Sequence, residues 1–113
     1  MKLIRDRLPE ILRANGQRHA YRIATPVEHR HFLNAKLIEQ AAEVIAATIP
    51  SHPAHACALA VELADLLEVV YALAAAHGIS RQDLEQTRQG KHQTRGGFTR
   101  GVIWHGPDAG ERP

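Results

Sequence analysis

The feature that narrows the possible folds most is a proline-bracketed link, Pro50-Ser51-His52-Pro53, set between two long runs of helix-forming residues. Proline locks φ and removes a backbone donor, so neither run continues through the link. Upstream, Thr25-Pro26-Val27-Glu28 sets an N-cap hydroxyl, a first-turn proline and a capping-box glutamate in order. That arrangement predicts a helix from about Pro26 to Ile49. Downstream, a second long helix runs from about Pro53 to His77 and ends at Gly78, a natural left-handed cap position. A link this short makes the two helices antiparallel neighbours. A shorter helix precedes them, Leu8 to Ala14, with Pro9 at its opening and Asn15-Gly16 as its stop. Another follows, opened by Ser80-Arg81-Gln82-Asp83 and lasting to about Arg95, where Gly96-Gly97 breaks it. Residues 17–24 carry no helical stripe and read as extended chain or loop. Residues 98–104, FTRGVIW, read as a short strand or an extended arm. The expected class is all-α: an antiparallel helical bundle of two long and two shorter helices. One domain covers residues 1–105, and 106–113 form a disordered C-terminal tail.

Composition supports helices and narrows the function classes. Aromatic residues make up 4% of the 113, and strands favour aromatic and β-branched side chains. Fourteen Lys and Arg against twelve Asp and Glu leave a net charge of +2, too little to announce a nucleic-acid binder. Eight histidines show no HExxH or zinc-finger spacing. A lone cysteine, Cys57, excludes an internal disulfide framework and fits a reducing compartment. The opening MKLIRDRLPEIL places charges where a signal peptide needs its apolar run. The most apolar stretch, Ala54 to Ala76, contains Glu62, Asp65 and Glu68, which excludes a membrane span. The expected location is the cytoplasm.

Those three acids are the chemical signal of the chain. At helical spacing Glu62, Asp65 and Glu68 fall in one arc of roughly 120°, while apolar side chains occupy most of the remaining circumference. A helix of that kind is expected to be buried on most sides, so its acids need partners or a cation. The preceding helix carries a matching stripe of Lys36, Glu39, Gln40 and Glu43, within about 100° of one another. Packed antiparallel through these faces, Glu39 and Glu43 meet Glu62 and Asp65, and such a cluster calls for a hard cation. Mg²⁺ and Mn²⁺ prefer oxygen ligands and leave coordination positions for phosphate oxygens. The plain alternative is that the acids form a solvated helix face.

Four segments together carry a family resemblance. They are Lys2-Leu3-Ile4-Arg5-Asp6-Arg7-Leu8-Pro9-Glu10-Ile11, then Glu39-Gln40-Ala41-Ala42-Glu43, then Glu62-Leu63-Ala64-Asp65, then Arg95-Gly96-Gly97-Phe98-Thr99-Arg100-Gly101-Val102. Their order resembles the MazG-like all-α nucleoside triphosphate pyrophosphohydrolases, relatives of phosphoribosyl-ATP pyrophosphohydrolase, in their small single-domain branch. The resemblance implies hydrolysis of a nucleotide between its α and β phosphates, yielding monophosphate and pyrophosphate. It also implies Mg²⁺ or Mn²⁺ as cofactor, a nucleotide as substrate, and a homodimer or larger homo-oligomer. Carried over residue by residue, the implied metal ligands are Gln40, Glu43, Glu62 and Asp65. Gln40 stands where the family has a glutamate; its amide oxygen can bind Mg²⁺ but brings no charge. Glu39 is the candidate for orienting or deprotonating the attacking water. Lys91 and Arg95 are the candidates for holding pyrophosphate, with Arg5 and Arg7 ranked below them.

Two rival readings stand beside that one. Within the family, phosphoribosyl-ATP hydrolysis ranks lower, because RDRLPEIL fits the general branch better. Outside enzymology, Gln40 favours a non-catalytic dimerisation or nucleotide-sensing module, whereas Glu43, Glu62 and Asp65 favour a working site. Of the remaining features, Gly96-Gly97 is read as a helix terminator, and Trp104 as a cover for the core. Cys57 is expected to be a small buried residue, and His19, His29 and His31 to face solvent. Asp6 is expected to tie down the N-terminal segment through Arg5 and Arg7.

Overall fold

A computed structural model describes residues 1–49, 55–108 and 110. The Pro50–Pro53 link and half of the expected tail, residues 109 and 111–113, lie outside these residues. The described chain forms four helices: α1 (Leu8–Ala14), α2 (Pro26–Ala47), α3 (His55–Ala76) and α4 (Arg81–Arg95). No strand occurs among the described residues, so 98–104 are not one: a turn at 98–100 closes with the Gly101 N–H on the Phe98 carbonyl at 3.3 Å.

Each helix start and stop has a local cause. At α2 the Thr25 Oγ1 accepts from the Glu28 N–H at 3.2 Å, and Glu28 Oε1 accepts from the Thr25 N–H at 3.0 Å. This reciprocal box satisfies two donors that a bare helix end leaves unpaired. The helix stops at Ala47, two residues before the expected Ile49. There the Thr48 hydroxyl donates to the Ile45 carbonyl at 2.6 Å, and the backbone N–H of Thr48 takes the same carbonyl at 3.1 Å. α3 ends in a Schellman turn. The Gly78 N–H donates to Ala75 O at 3.0 Å and the Ile79 N–H to Ala74 O at 2.9 Å, with Gly78 at φ +76°. α1 closes with the same pair of bonds, from Gly16 to Arg13 and from Gln17 to Leu12.

The chain divides into two compact units, Met1–Arg81 and Gln82–Pro113. In the first, α2 packs against α3. Each of these helices has 22 residues, about 33 Å, whereas the intervening segment from Thr48 to Ala54 can span no more than about 28 Å. The segment is too short to carry the chain back along a parallel partner, so the pair is antiparallel. Along α2, Leu33, Leu37, Gln40, Val44 and Ala47 form a buried or half-buried stripe at alternating spacings of four and three. The matching stripe of α3 is Leu59, Glu62, Leu66, Val69, Leu73 and Ala76. The fully enclosed core is small: Leu33 at 2% exposure, with Val69 and Ala74.

A second apolar stripe on each helix faces outward. Ile38, Ala42 and Ile45 form it on α2, with Ile49 just past its end, and Ala56, Ala60, Leu63 and Leu67 form it on α3, all exposed. Burial of α3 on most sides therefore does not occur within one chain, because a single partner helix covers a single stripe. Cys57 belongs to the uncovered side and is exposed rather than buried. In the second unit, α4 is polar, with Glu85 holding Arg88 through two hydrogen bonds of 2.6 and 2.9 Å. Gly96, at φ +80°, ends the helix, its N–H on the His92 carbonyl at 2.8 Å. Trp104 is 79% exposed, so it covers no core.

Candidate active site

The candidate residues fall on three helices. Glu39, Gln40 and Glu43 sit on α2, Glu62 and Asp65 on α3, and Lys91 and Arg95 on α4. The first five belong to the unit Met1–Arg81; the two cations belong to Gln82–Pro113.

Gln40 occupies the half-buried stripe through which α2 meets α3. Its Oε1 is shielded from solvent and accepts no hydrogen bond. A buried acceptor left in this condition costs about 1–3 kcal/mol, so this oxygen is poised for a donor or a cation. Glu62 is half-buried in the facing stripe, and Glu43 is exposed at its edge. Neither has a hydrogen-bond or ion-pair partner among the described residues. Glu39 pairs with Lys36, one turn earlier, at 3.5 Å, and Lys36 is the more buried of the two at 18% exposure.

Asp65 is held differently. Nη2 of Arg5 donates to its Oδ1 at 2.5 Å across 60 positions of sequence. The N-terminal segment is thus tied down by Arg5 itself, not through Asp6, while Arg7 pairs with Glu10 at 2.7 Å. No local spacing signals the Arg5–Asp65 contact, and the sequence by itself ranks Arg5 only as a weaker phosphate candidate. Among the described residues no three His, Cys, Asp or Glu side chains stand close enough together to hold a metal ion.

The donors are of the oxygen type that a hard divalent cation takes, but among the described residues the acids do not converge on one point. Gln40 brings an unpaired oxygen, and Glu43, Glu62 and Asp65 bring carboxylates one or two turns apart on paired helices. What opposes a cation in this arrangement is the guanidinium already on Asp65. Lys91 and Arg95 carry no ion pair among the described residues and are exposed, so both remain available to an anion. A separate open cleft of about 410 Å³ lies against α1, lined by Pro9, Arg13 and Tyr21 among others. None of the candidate residues lines it.

The sequence profile of the phosphoribosyl-ATP pyrophosphohydrolase family matches residues 7–92, three-quarters of the chain, and takes in Glu39, Glu43, Glu62 and Asp65. The chain belongs to that family. Membership places it in the MazG-like all-α pyrophosphohydrolase superfamily, in agreement with the four helices and with the resemblance carried by the motifs. It makes the protein a pyrophosphohydrolase by family. The matched span excludes Arg5 at one end and Arg95 at the other. No curated protein and no solved structure matches the chain.

Proposed function

We propose that this protein is a divalent-cation-dependent pyrophosphohydrolase that cleaves a nucleoside triphosphate between its α and β phosphates. The products are monophosphate and pyrophosphate, and the role is clearance of unwanted nucleotides. The observation that carries the reading is the unpaired oxygen of Gln40 in the α2–α3 stripe, beside carboxylates inside the span that matches the family. Gln40, Glu43, Glu62 and Asp65 would hold Mg²⁺ or Mn²⁺. Such an ion, when bound, screens phosphate charge and acidifies water.

The chain's own residues do the rest. Glu39 orients the attacking water and takes its proton, and the ammonium of Lys36 keeps that carboxylate against the helix. Lys91 and Arg95, both exposed on α4, are the candidate cations for pyrophosphate through charge-assisted hydrogen bonds. The uncovered stripes, Ile38-Ala42-Ile45-Ile49 and Ala56-Ala60-Leu63-Leu67, pair with those of a second copy, forming a homodimer or larger assembly.

Two observations support other readings. The family's name supports phosphoribosyl-ATP as substrate. The lack of three converging acids among the described residues supports nucleotide binding without turnover. One assay separates all three: pyrophosphate release from standard and modified nucleoside triphosphates and from phosphoribosyl-ATP, with Mg²⁺ or Mn²⁺ and an EDTA control. Metal-dependent release from triphosphates with monophosphate as co-product supports the proposal. Release from phosphoribosyl-ATP alone transfers the assignment to that substrate. No release from any compound at high enzyme concentration supports the binding module.

A further inference from the structure

The open cleft of about 410 Å³ against α1 has no role in the function proposed above, and two held segments build it. Pro9 and Arg13 stand one turn apart on the same face of α1. Gly16, at φ +77°, then turns the chain out of the helix, with its N–H on Arg13 O at 3.0 Å and the Gln17 N–H on Leu12 O at 2.9 Å. Beyond the turn, Gln17, His19 and Tyr21 alternate along a stretch without helix, the spacing that sets side chains on one side of extended chain. The far end of this stretch is fixed too, because Arg22 donates to both oxygens of Glu28 at 2.8 and 2.6 Å.

The lining carries one sign of charge. Arg13, Arg18 and His19 line the cleft with no acid among them. Arg5, Arg7 and Arg22 each hold a carboxylate, whereas the side chains of Arg13 and Arg18 have no hydrogen-bond or ion-pair partner among the described residues. Two guanidiniums on one cleft repel each other, and a phosphate, which guanidinium donors grip in pairs, relieves that repulsion. A helix C-terminus ordinarily disfavours an anion, but here the turn bonds already engage the Leu12 and Arg13 carbonyls.

The other half of the lining suits a planar ring. The His19 and Tyr21 rings lie with centroids 6.2 Å apart, tilted by 42°. That pair is assembled before any ligand arrives, and bases stack on such faces. Gln17 offers an amide that can both donate and accept at a base edge. The cleft also has the size of a site for a whole small molecule, about 300 Å³ or more, rather than for a lone anion.

We propose that this cleft is a mononucleotide site, separate from the acids of α2 and α3. Arg13 and Arg18 hold the phosphate, and the base rests against the His19–Tyr21 pair. The site needs no metal ion.

The test uses the full chain in EDTA, with adenosine and uridine monophosphates, adenosine and inorganic phosphate as probes in calorimetric titration. A monophosphate should bind about tenfold tighter than phosphate or adenosine alone, because only the nucleotide engages both halves of the cleft. Replacing both arginines (Arg13→Gln with Arg18→Gln) should weaken it by about tenfold and flatten its salt dependence. Tyr21→Ala should weaken it by about fivefold while leaving phosphate binding unchanged. All three side chains are exposed, and circular dichroism checks that the helices persist.

A nucleotide that binds no tighter than inorganic phosphate reduces the cleft to a plain anion site and overturns the proposal. Nucleotide binding that survives the double arginine substitution undiminished lies elsewhere on the chain and overturns it as well. So does the absence of binding by either monophosphate. The pyrophosphate assay decides the metal-dependent reaction separately, since none of its proposed residues lines the cleft.

Discussion

Gln40 is the side chain on which the proposed site turns. Its oxygen is buried without a partner, a cost that stability alone gives no reason to keep. Replacing it with glutamate adds a charge to the proposed ligand set, so Gln40→Glu should tighten Mn²⁺ binding by about tenfold in a calorimetric titration. No change would place Gln40 outside the coordination sphere. Asp65→Ala should lower pyrophosphate release by about two orders of magnitude or more while leaving the helical circular dichroism intact. Full residual activity would remove Asp65 from the site. The local pattern makes these residues visible, since helical spacing sets Glu62 and Asp65 on one arc of an apolar helix. It does not show what each one touches. Arg5 reaches Asp65 over 60 positions, a contact that only the folded chain creates.

Among the elements, α2 has the most completely specified start. Arg22 donates to both oxygens of Glu28, at 2.8 and 2.6 Å, while Glu28 also closes the capping box. The Arg22 hydrogen bonds, followed by that of the Thr25 N–H, hold the Glu28 carboxyl down at about 2, below the usual 4.5. A depressed carboxyl binds fewer protons folded than unfolded. Its stabilisation is therefore complete above about 4.5 and is lost as pH falls from there toward about 2. Acid titration followed by circular dichroism should show helix loss in that window, and Glu28→Gln should flatten it. Thr25→Ala, which removes the other half of the box, should cost about 1 kcal/mol in chemical denaturation. At the far end of α3, Gly78→Ala meets no atom but must adopt φ +76°, so its cost of about 1 kcal/mol is purely conformational. These boundaries are legible because caps are written in adjacent residues. The end of α2 falls two residues short of the expected one because Thr48 turns the chain before Pro50 can break it.

For the whole molecule the decisive quantity is apolar surface left uncovered. Ile38 is 73% exposed and Ile45 68%, on a helix whose opposite stripe is already packed. Sedimentation equilibrium should therefore find a dimer or larger species. Ile38→Asp combined with Leu63→Glu should shift it toward monomer, since a charge in the centre of such a stripe cannot be desolvated without a partner. The described residues contain no helix long and apolar enough to cross a membrane, so these stripes are not a bilayer span. The sequence alone determined the class, the four helices, their antiparallel pairing and the family, because each follows from spacing, caps and motif order within a few residues. Tertiary structure alone decided which apolar stripe is buried. It also decided that Cys57 and Trp104 face outward, that Gln40 Oε1 lacks a partner and that Arg5 occupies Asp65. The physical reason is that burial and pairing depend on what a distant segment covers. Periodicity shows that a helix has two apolar faces, and only packing chooses the one that meets its neighbour.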